Sequence, residues 1–371
     1  MHAWFFWNVG LNEIAYFTIT FCIFFYYNNP KCFDITKLRL ISVFVYILAW
    51  IYISLRDGFW IGIFFVAIPI VFFILLKSEI QAKIMTFITK AYSILFLFSV
   101  PIWILLLAGI NLPNVGLISH DIWKAYEYVN HIICLKSTGI YMFRFNCIFL
   151  EPGHTGLVAA FLLFINRFDF KNNKYLWPIL IALLFTLSLA GYVLFLVSLI
   201  LYNIFIINRN VRNIIIISLF GVTLYLFFVN FNNGDNYVNN MIIERLRFVN
   251  GTIAGNNRTG LAMDSYFSKF VESHKFLKGI GIKAYINTGL MEGNSGYKVF
   301  FLIYGLIGVI MTFIMYVVFS LNFKTRESFL LLFLYSINFI QRANPYWSIL
   351  LLIFIGGLSL FKHTKNKSLN N

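Results

Sequence analysis

Eleven apolar runs constrain this chain more than any other feature. They lie at approximately 10–27, 40–55, 59–76, 91–110, 153–166, 175–189, 191–207, 214–231, 297–321, 328–340 and 347–361. A helix of about 20 residues crosses a hydrocarbon core, and fewer suffice where neighbours shield the ends. Of 371 residues, 60% are hydrophobic and only 12% are charged, too little polar sequence to cover a water-soluble globule of this size. The expected fold is therefore an all-α polytopic membrane protein of about 11 transmembrane helices, with residues 1–371 forming a single integral membrane domain. The runs at 175–189 and 191–207 also read as one broken helix. No basic region with a cleavage site precedes the first run, which reads as a retained span.

The net charge of +15 sits mostly in short clusters between the apolar runs. Segments 28–39, 77–90, 167–174, 208–213, 322–327 and the tail after 361 carry these Lys and Arg residues, and under an eleven-span count all fall on one side. The positive-inside rule makes that side cytoplasmic, with the N-terminus outside and the C-terminus inside. Nucleic-acid binding is excluded by the same distribution. Four cysteines show no metal-ligand spacing, and only Cys134 and Cys147 are placed to pair as a disulfide.

Two outer connections are long. The first, 111–152, carries Ile118, Ile122, Trp123, Tyr126, Val129, Ile132 and Ile133 at near-helical spacing, which predicts a helix lying in the membrane interface. The second, the large outer loop 232–296, carries Arg245, Arg247, Arg258 and several lysines on the face that is ordinarily poor in positive charge. A solvated basic surface is one reading. A site for an anion is the other, and it is favoured.

Charged and polar residues are concentrated in Phe143–Thr155, where Arg144, Glu151 and His154 stand at the start of an apolar run. Ionisable groups at a bilayer boundary are costly unless used. Glu151 followed by Pro152 also fits a simple helix start, and Arg144 also fits a side chain reaching to head groups. The chemistry suggested is transfer from a phosphate-linked donor. Arginines pair with diphosphate oxygens through forked hydrogen bonds and stabilise charge developing on the leaving group, and Glu151 or His154 takes the proton of an attacking hydroxyl. Arg258, flanked by Asn257 and Thr259, is a better anion ligand than Arg245 or Arg247, whose spacing also suits an amphipathic helix. Arg342 and Tyr346 belong to a polar interruption, Gln341–Trp347, between the last two runs. His120 and His131 read as loop residues. No metal motif and no glycine-rich phosphate loop occurs, so no cofactor is expected.

Three features, taken in order, resemble the superfamily of O-antigen ligases and Wzy-type O-antigen or capsular polysaccharide polymerases. They are Arg144 with Glu151-Pro152 closing an outer loop; Thr186-Leu187-Ser188-Leu189-Ala190-Gly191-Tyr192 between two spans; and Asn257-Arg258-Thr259, then Phe276-Leu277-Lys278-Gly279-Ile280-Gly281, Asn294-Ser295 and Tyr304-Gly305-Leu306-Ile307-Gly308. The resemblance covers roughly 140–320. It implies a GT-C-like, metal-independent membrane glycosyltransferase. Its donor and acceptor would be undecaprenyl-pyrophosphate-linked oligosaccharides, used on the outer face of the bacterial cytoplasmic membrane, with membrane lipid and a chain-length regulator as partners. It further implies Glu151 or His154 as base and Arg144, Arg258 and Arg342 as diphosphate ligands meeting in one pocket, with inversion at the anomeric carbon. Two departures stand out. Leu189 and Ala190 occupy the break where the family often has Arg, and Glu292–Gly296 lacks the late histidine of the ligases, with His274 too early to replace it. The missing histidine favours a polymerase over a ligase. A lipid-linked oligosaccharide flippase would show internal hydropathy repeats, and none is seen.

Overall fold

The computed structural model describes residues 11–58, 61–119, 127–139, 142–206, 211–249, 252–253, 260–290 and 296–369. Among these, each of the eleven apolar runs overlaps one α-helix: α1 Leu11–Asn28, α2 Lys37–Asp57, α3 Ile61–Leu75, α4 Ser78–Leu107, α5 Pro152–Ile165, α6 Leu176–Phe185, α7 Leu189–Phe205, α8 Val211–Asn230, and three more toward the C-terminus. The last three are separated from α8 by two shorter helices, α9 Leu261–Val271 and α10 Ile282–Ile286, and are α11 Tyr297–Leu321, α12 Arg326–Gln341 and α13 Ser348–Leu369. Among the described residues, α2, α4 and α11 are long and apolar enough to cross a membrane.

Two of these helices bury polar side chains beside apolar ones and expose large apolar side chains outward. α2 turns Arg39, Ser42, Tyr46 and Ser54 inward and leaves Leu40, Ile41, Phe44 and Leu48 exposed. α4 likewise buries Gln81, Thr89, Ser93 and Ser99 while Phe87, Ile94, Leu97 and Phe98 face out. A soluble amphipathic helix does the reverse. The largely helical architecture with apolar outer faces is thus that of an all-α membrane protein.

The chain forms two compact units. The first is made chiefly of Lys83–Leu246, and the second of Ala15–Ala82 and Arg247–Asn371. In the first, α5 is the centre, with all fourteen of its residues buried. It runs parallel to α7: Gly156 lies against Gly191 at their starts, and the Phe164 and Tyr202 rings are 6.3 Å apart toward their ends. A Cβ on Gly191 would come within 3.0 Å of the Gly156 Cα, so glycine on both helices permits this backbone approach. Asn166 donates to Thr89 Oγ1 at 3.1 Å at one end of the unit, and the rings of Trp103 and Phe185 meet at 5.4 Å at the other.

The connection after α4 corrects one expectation. Its described residues form not an interfacial helix but an antiparallel sheet of β1 Leu117–Ser119, β2 Glu127–Asn130 and β3 Leu135–Ser137, with Ile118 opposite Tyr128 and Val129 opposite Lys136. Ile122, Trp123 and Tyr126 lie outside the described residues. The sheet wins because cross-strand pairing gathers Ile118, Tyr128 and Leu135 over Leu150 in one buried cluster. That pairing is non-local, and helical spacing along the chain does not report it.

In the second unit α2 and α11 are antiparallel. Asn322 donates to Ser42 Oγ at 2.9 Å at one end of the pair, and Tyr52 donates to the Tyr304 carbonyl at 2.8 Å at the other. α11 is broken at Gly305, whose φ of 68° places it in the left-handed region. The loop 277–281 fills the break with its backbone. Ile280 N–H donates to Leu302 O at 2.7 Å, Gly281 N–H to Ile303 O at 3.0 Å, and Ile307 N–H to Leu277 O at 3.1 Å. Gly279 and Gly305 approach so closely that a Cβ on either would lie 2.4 Å from backbone atoms of the other segment. The glycine-containing stretches around 279 and 305, separate motifs in the sequence, are two halves of one interlock.

Candidate functional site

In the first unit the loop from Arg144 to Leu150 is buried throughout. Its own backbone holds it there. Phe145 N–H donates to Phe185 O at 3.0 Å, Leu135 N–H donates to Cys147 O at 2.8 Å, and Cys147 turns the chain in a left-handed conformation at φ 54°. Thr155 closes the turn by donating to Asn146 O at 2.6 Å, and Tyr128 donates to Leu150 O. Cys134 and Cys147 are both free thiols; burial pushes the Cys147 thiol up to about 12 and Cys134 higher still.

Arg144 is buried, and its Nε donates to the Thr186 carbonyl at 3.0 Å. Thr186–Ser188 is the break between α6 and α7, closed by a left-handed Leu187 at φ 45° and by Ser188, whose side chain accepts from Gly191 N–H at 3.3 Å. A guanidinium from the loop before α5 therefore lies against this break.

The charge of Arg144 reaches the phenol of Tyr237, and so does that of Arg245. Burial pushes the Tyr237 hydroxyl above its ordinary value, and the two guanidinium groups pull against that shift. The Phe143 ring meets the Tyr237 ring edge-on at 5.4 Å. Arg245 follows a π-helical turn, Asn239–Ile243, and its Nη2 lies 3.7 Å from Met241 Sδ. The segments that carry Arg144 and Arg245 therefore adjoin through the Phe143–Tyr237 contact.

Glu151 is the residue before α5, with Pro152 in the first turn, but its side chain makes no capping hydrogen bond to the helix. His154, 1% exposed, donates its backbone N–H to Glu151 O at 3.0 Å. Arg144, Glu151, His154 and Arg245 all belong to the first unit. Arg247 is exposed and belongs to the second unit, and Arg258 lies outside the described residues.

Arg342 and Tyr346 are also in the second unit. Arg342 ends α12, is 9% exposed, and donates its backbone N–H to Asn338 O at 2.7 Å. Tyr346 pairs with Thr312 Oγ1 at 3.0 Å and packs on Trp50 with ring centres 5.5 Å apart. Sequence reasoning missed two groups of residues. Tyr237 gave no signal inside an asparagine-rich turn. Arg56-Asp57-Gly58, a charged pair closing a long apolar run, did give one. Arg56 donates to Gly279 O, and both oxygens of Asp57 accept from the Tyr304 hydroxyl, at 2.9 and 3.1 Å. Both act on the interlock at Gly305. Among the described residues no group of His, Cys, Asp and Glu is arranged to hold a metal ion. Comparison with family models, curated proteins and solved structures returns no match to the chain.

Proposed function

We propose that this protein is a membrane glycosyltransferase that polymerises oligosaccharide repeat units carried on undecaprenyl pyrophosphate, at the outer face of the cytoplasmic membrane. The observation that carries this reading is the buried guanidinium of Arg144 held on the Thr186 carbonyl, beside the contact of Phe143 with Tyr237, in the unit where Glu151 and His154 begin a fully buried helix. Two guanidinium groups in a partly buried setting suit a diphosphate, and no metal is needed to neutralise it. The sidedness of the helices supports the placement. Under the eleven-span alternation α5 and α7 run the same way and α2 and α11 run oppositely, as their contacts have them.

In the reaction an acceptor sugar hydroxyl attacks the anomeric carbon of the donor. The new C–O bond forms as the bond to the diphosphate breaks, and the electron pair leaves with the diphosphate oxygen. Glu151 takes the hydroxyl proton, with His154 as the alternative base. Arg144 and Arg245 stabilise the charge that grows on the leaving diphosphate. A single displacement inverts the configuration.

Replacing Glu151 by Gln, or Arg144 by Lys, in a host that depends on this gene tests the proposal. The expected result is single-repeat glycan in place of long polymer at normal protein level. Unchanged polymer length in both variants overturns it, and long polymer left unattached to an acceptor replaces the polymerase reading with a ligase.

A further inference from the structure

The second unit contains a cavity of about 130 Å³ between α11 and α12, closed at one end by the turn that carries Arg342. A cavity of about 150 Å³ lined by apolar side chains stays dry and takes a benzene-sized hydrocarbon. This one is walled mainly by apolar and aromatic groups, among them Phe313, Tyr316, Tyr335 and Phe339. Phe313 is 54% exposed, so the cavity borders the same outward surface as the other exposed apolar side chains.

Most of its polar lining groups are already satisfied. Thr312 donates to Gly308 O at 2.8 Å, Tyr316 to Pro345 O, Tyr335 to Leu350 O at 2.6 Å and Ser336 to Leu332 O at 3.0 Å. Asn338 is the exception. It is 7% exposed, and its Oδ1 is buried without a hydrogen-bond partner. Its amide and the Arg342 guanidinium, one helical turn apart and both lining the cavity, form the polar part of an otherwise hydrocarbon space. A buried amide left unsatisfied is costly. The requirement is for a ligand that is apolar along most of its length and anionic and hydrogen-bonding at one end.

We propose that this cavity binds a single hydrocarbon chain of an anionic lipid, with the lipid phosphate on Arg342 and the side-chain N–H of Asn338 donating to an ester oxygen beside it. About one isoprene unit or a few methylenes fill the enclosed part, and the remainder of the chain lies along the outward face. The chemistry is shared by a prenyl phosphate and by a bilayer phospholipid. The site does not depend on the polymerase reading: a lipid held here is a substrate tail in the first case and a fixed membrane lipid in the second.

The test uses the full-length protein in a neutral detergent, titrated with farnesyl monophosphate, lysophosphatidylglycerol, farnesol or inorganic phosphate while the melting temperature is followed. One of the two anionic amphiphiles is expected to bind at least tenfold more tightly than farnesol and than phosphate. Preference for farnesyl monophosphate identifies a prenyl chain, and preference for the lysolipid identifies a membrane lipid. Ser336→Leu and Val309→Ile, which fill the cavity from opposite walls, are each expected to weaken the preferred amphiphile tenfold or more with no loss of unliganded melting temperature. Arg342→Gln reduces the phosphate ester to the affinity of its alcohol. Equal binding to the filled variants and the parent, or no shift with either amphiphile, overturns the proposal. Glu151→Gln, in the other unit, keeps lipid binding even where it abolishes polymer, so failure of the two readings is told apart.

Discussion

At Thr186–Ser188 a helix stops and restarts around a left-handed Leu187, and the carbonyl it leaves is met by the side chain of Arg144. At Gly305 a helix stops and restarts around a left-handed glycine, and its carbonyls are met by the backbone of residues 280 and 281. Backbone at membrane depth must be hydrogen-bonded within the protein, and both breaks obey. They differ in what else arrives. Backbone amides satisfy the carbonyls and add no net charge, which is what a joint needs. A guanidinium satisfies one carbonyl and brings a full charge, which is what an anion site needs. The first break is therefore the one to associate with chemistry, and the second the one to associate with holding the fold.

The largest expected effect lies at the second break. Gly305→Val adds a side chain where a Cβ would already sit 2.4 Å from Leu277 O, at a backbone angle that suits glycine. Loss of stability of about 4 kcal/mol or more is expected, seen as lost expression or a collapsed melting transition. Normal melting would break the assignment of this joint to the fold. Next is Arg144→Lys, which keeps the charge but not the fork. Polymer is expected to fall about a hundredfold, roughly 2.7 kcal/mol in the barrier, while melting shifts little. A protein that unfolds but polymerises normally at low temperature would make this break structural too.

Gly191→Ala is smaller. Its Cβ would approach the Gly156 Cα to 3.0 Å and force α5 and α7 apart, at a cost of about 1–3 kcal/mol. Activity should fall with this substitution, because the same displacement moves Ser188 and Thr186 away from α5. Smallest is Tyr52→Phe, which removes the donor to Tyr304 O and Lys278 O. About 1 kcal/mol of stability should go, measured by chemical denaturation, with polymer length unchanged.

The helices were legible because a run of apolar residues is a local property, and all eleven runs coincide with helices. Arg144, Glu151 and His154 were legible because charge at the edge of such a run is conspicuous. What the residues do to one another was not. Arg245 ranks below Arg258 by its helical spacing, yet its segment meets that of Arg144 through the distant pair Phe143 and Tyr237. Likewise the strands at Ile118 and Tyr128, and the meeting of Gly279 with Gly305, depend on partners distant in sequence. Periodicity carries no information about either.

The interlock at Gly305 also bears on how the chain is made. Residues 277–281 leave the ribosome before α11, yet the carbonyls they satisfy, at Leu302 and Ile303, belong to α11. Until the two meet, a helix about 37 Å long enters the bilayer with a defect near one third of its length. Docking of the preceding loop and insertion of α11 must then finish together. The translation interval between the loop and the helix, and the time the nascent chain spends beside the insertion machinery, become properties on which this glycine pair acts.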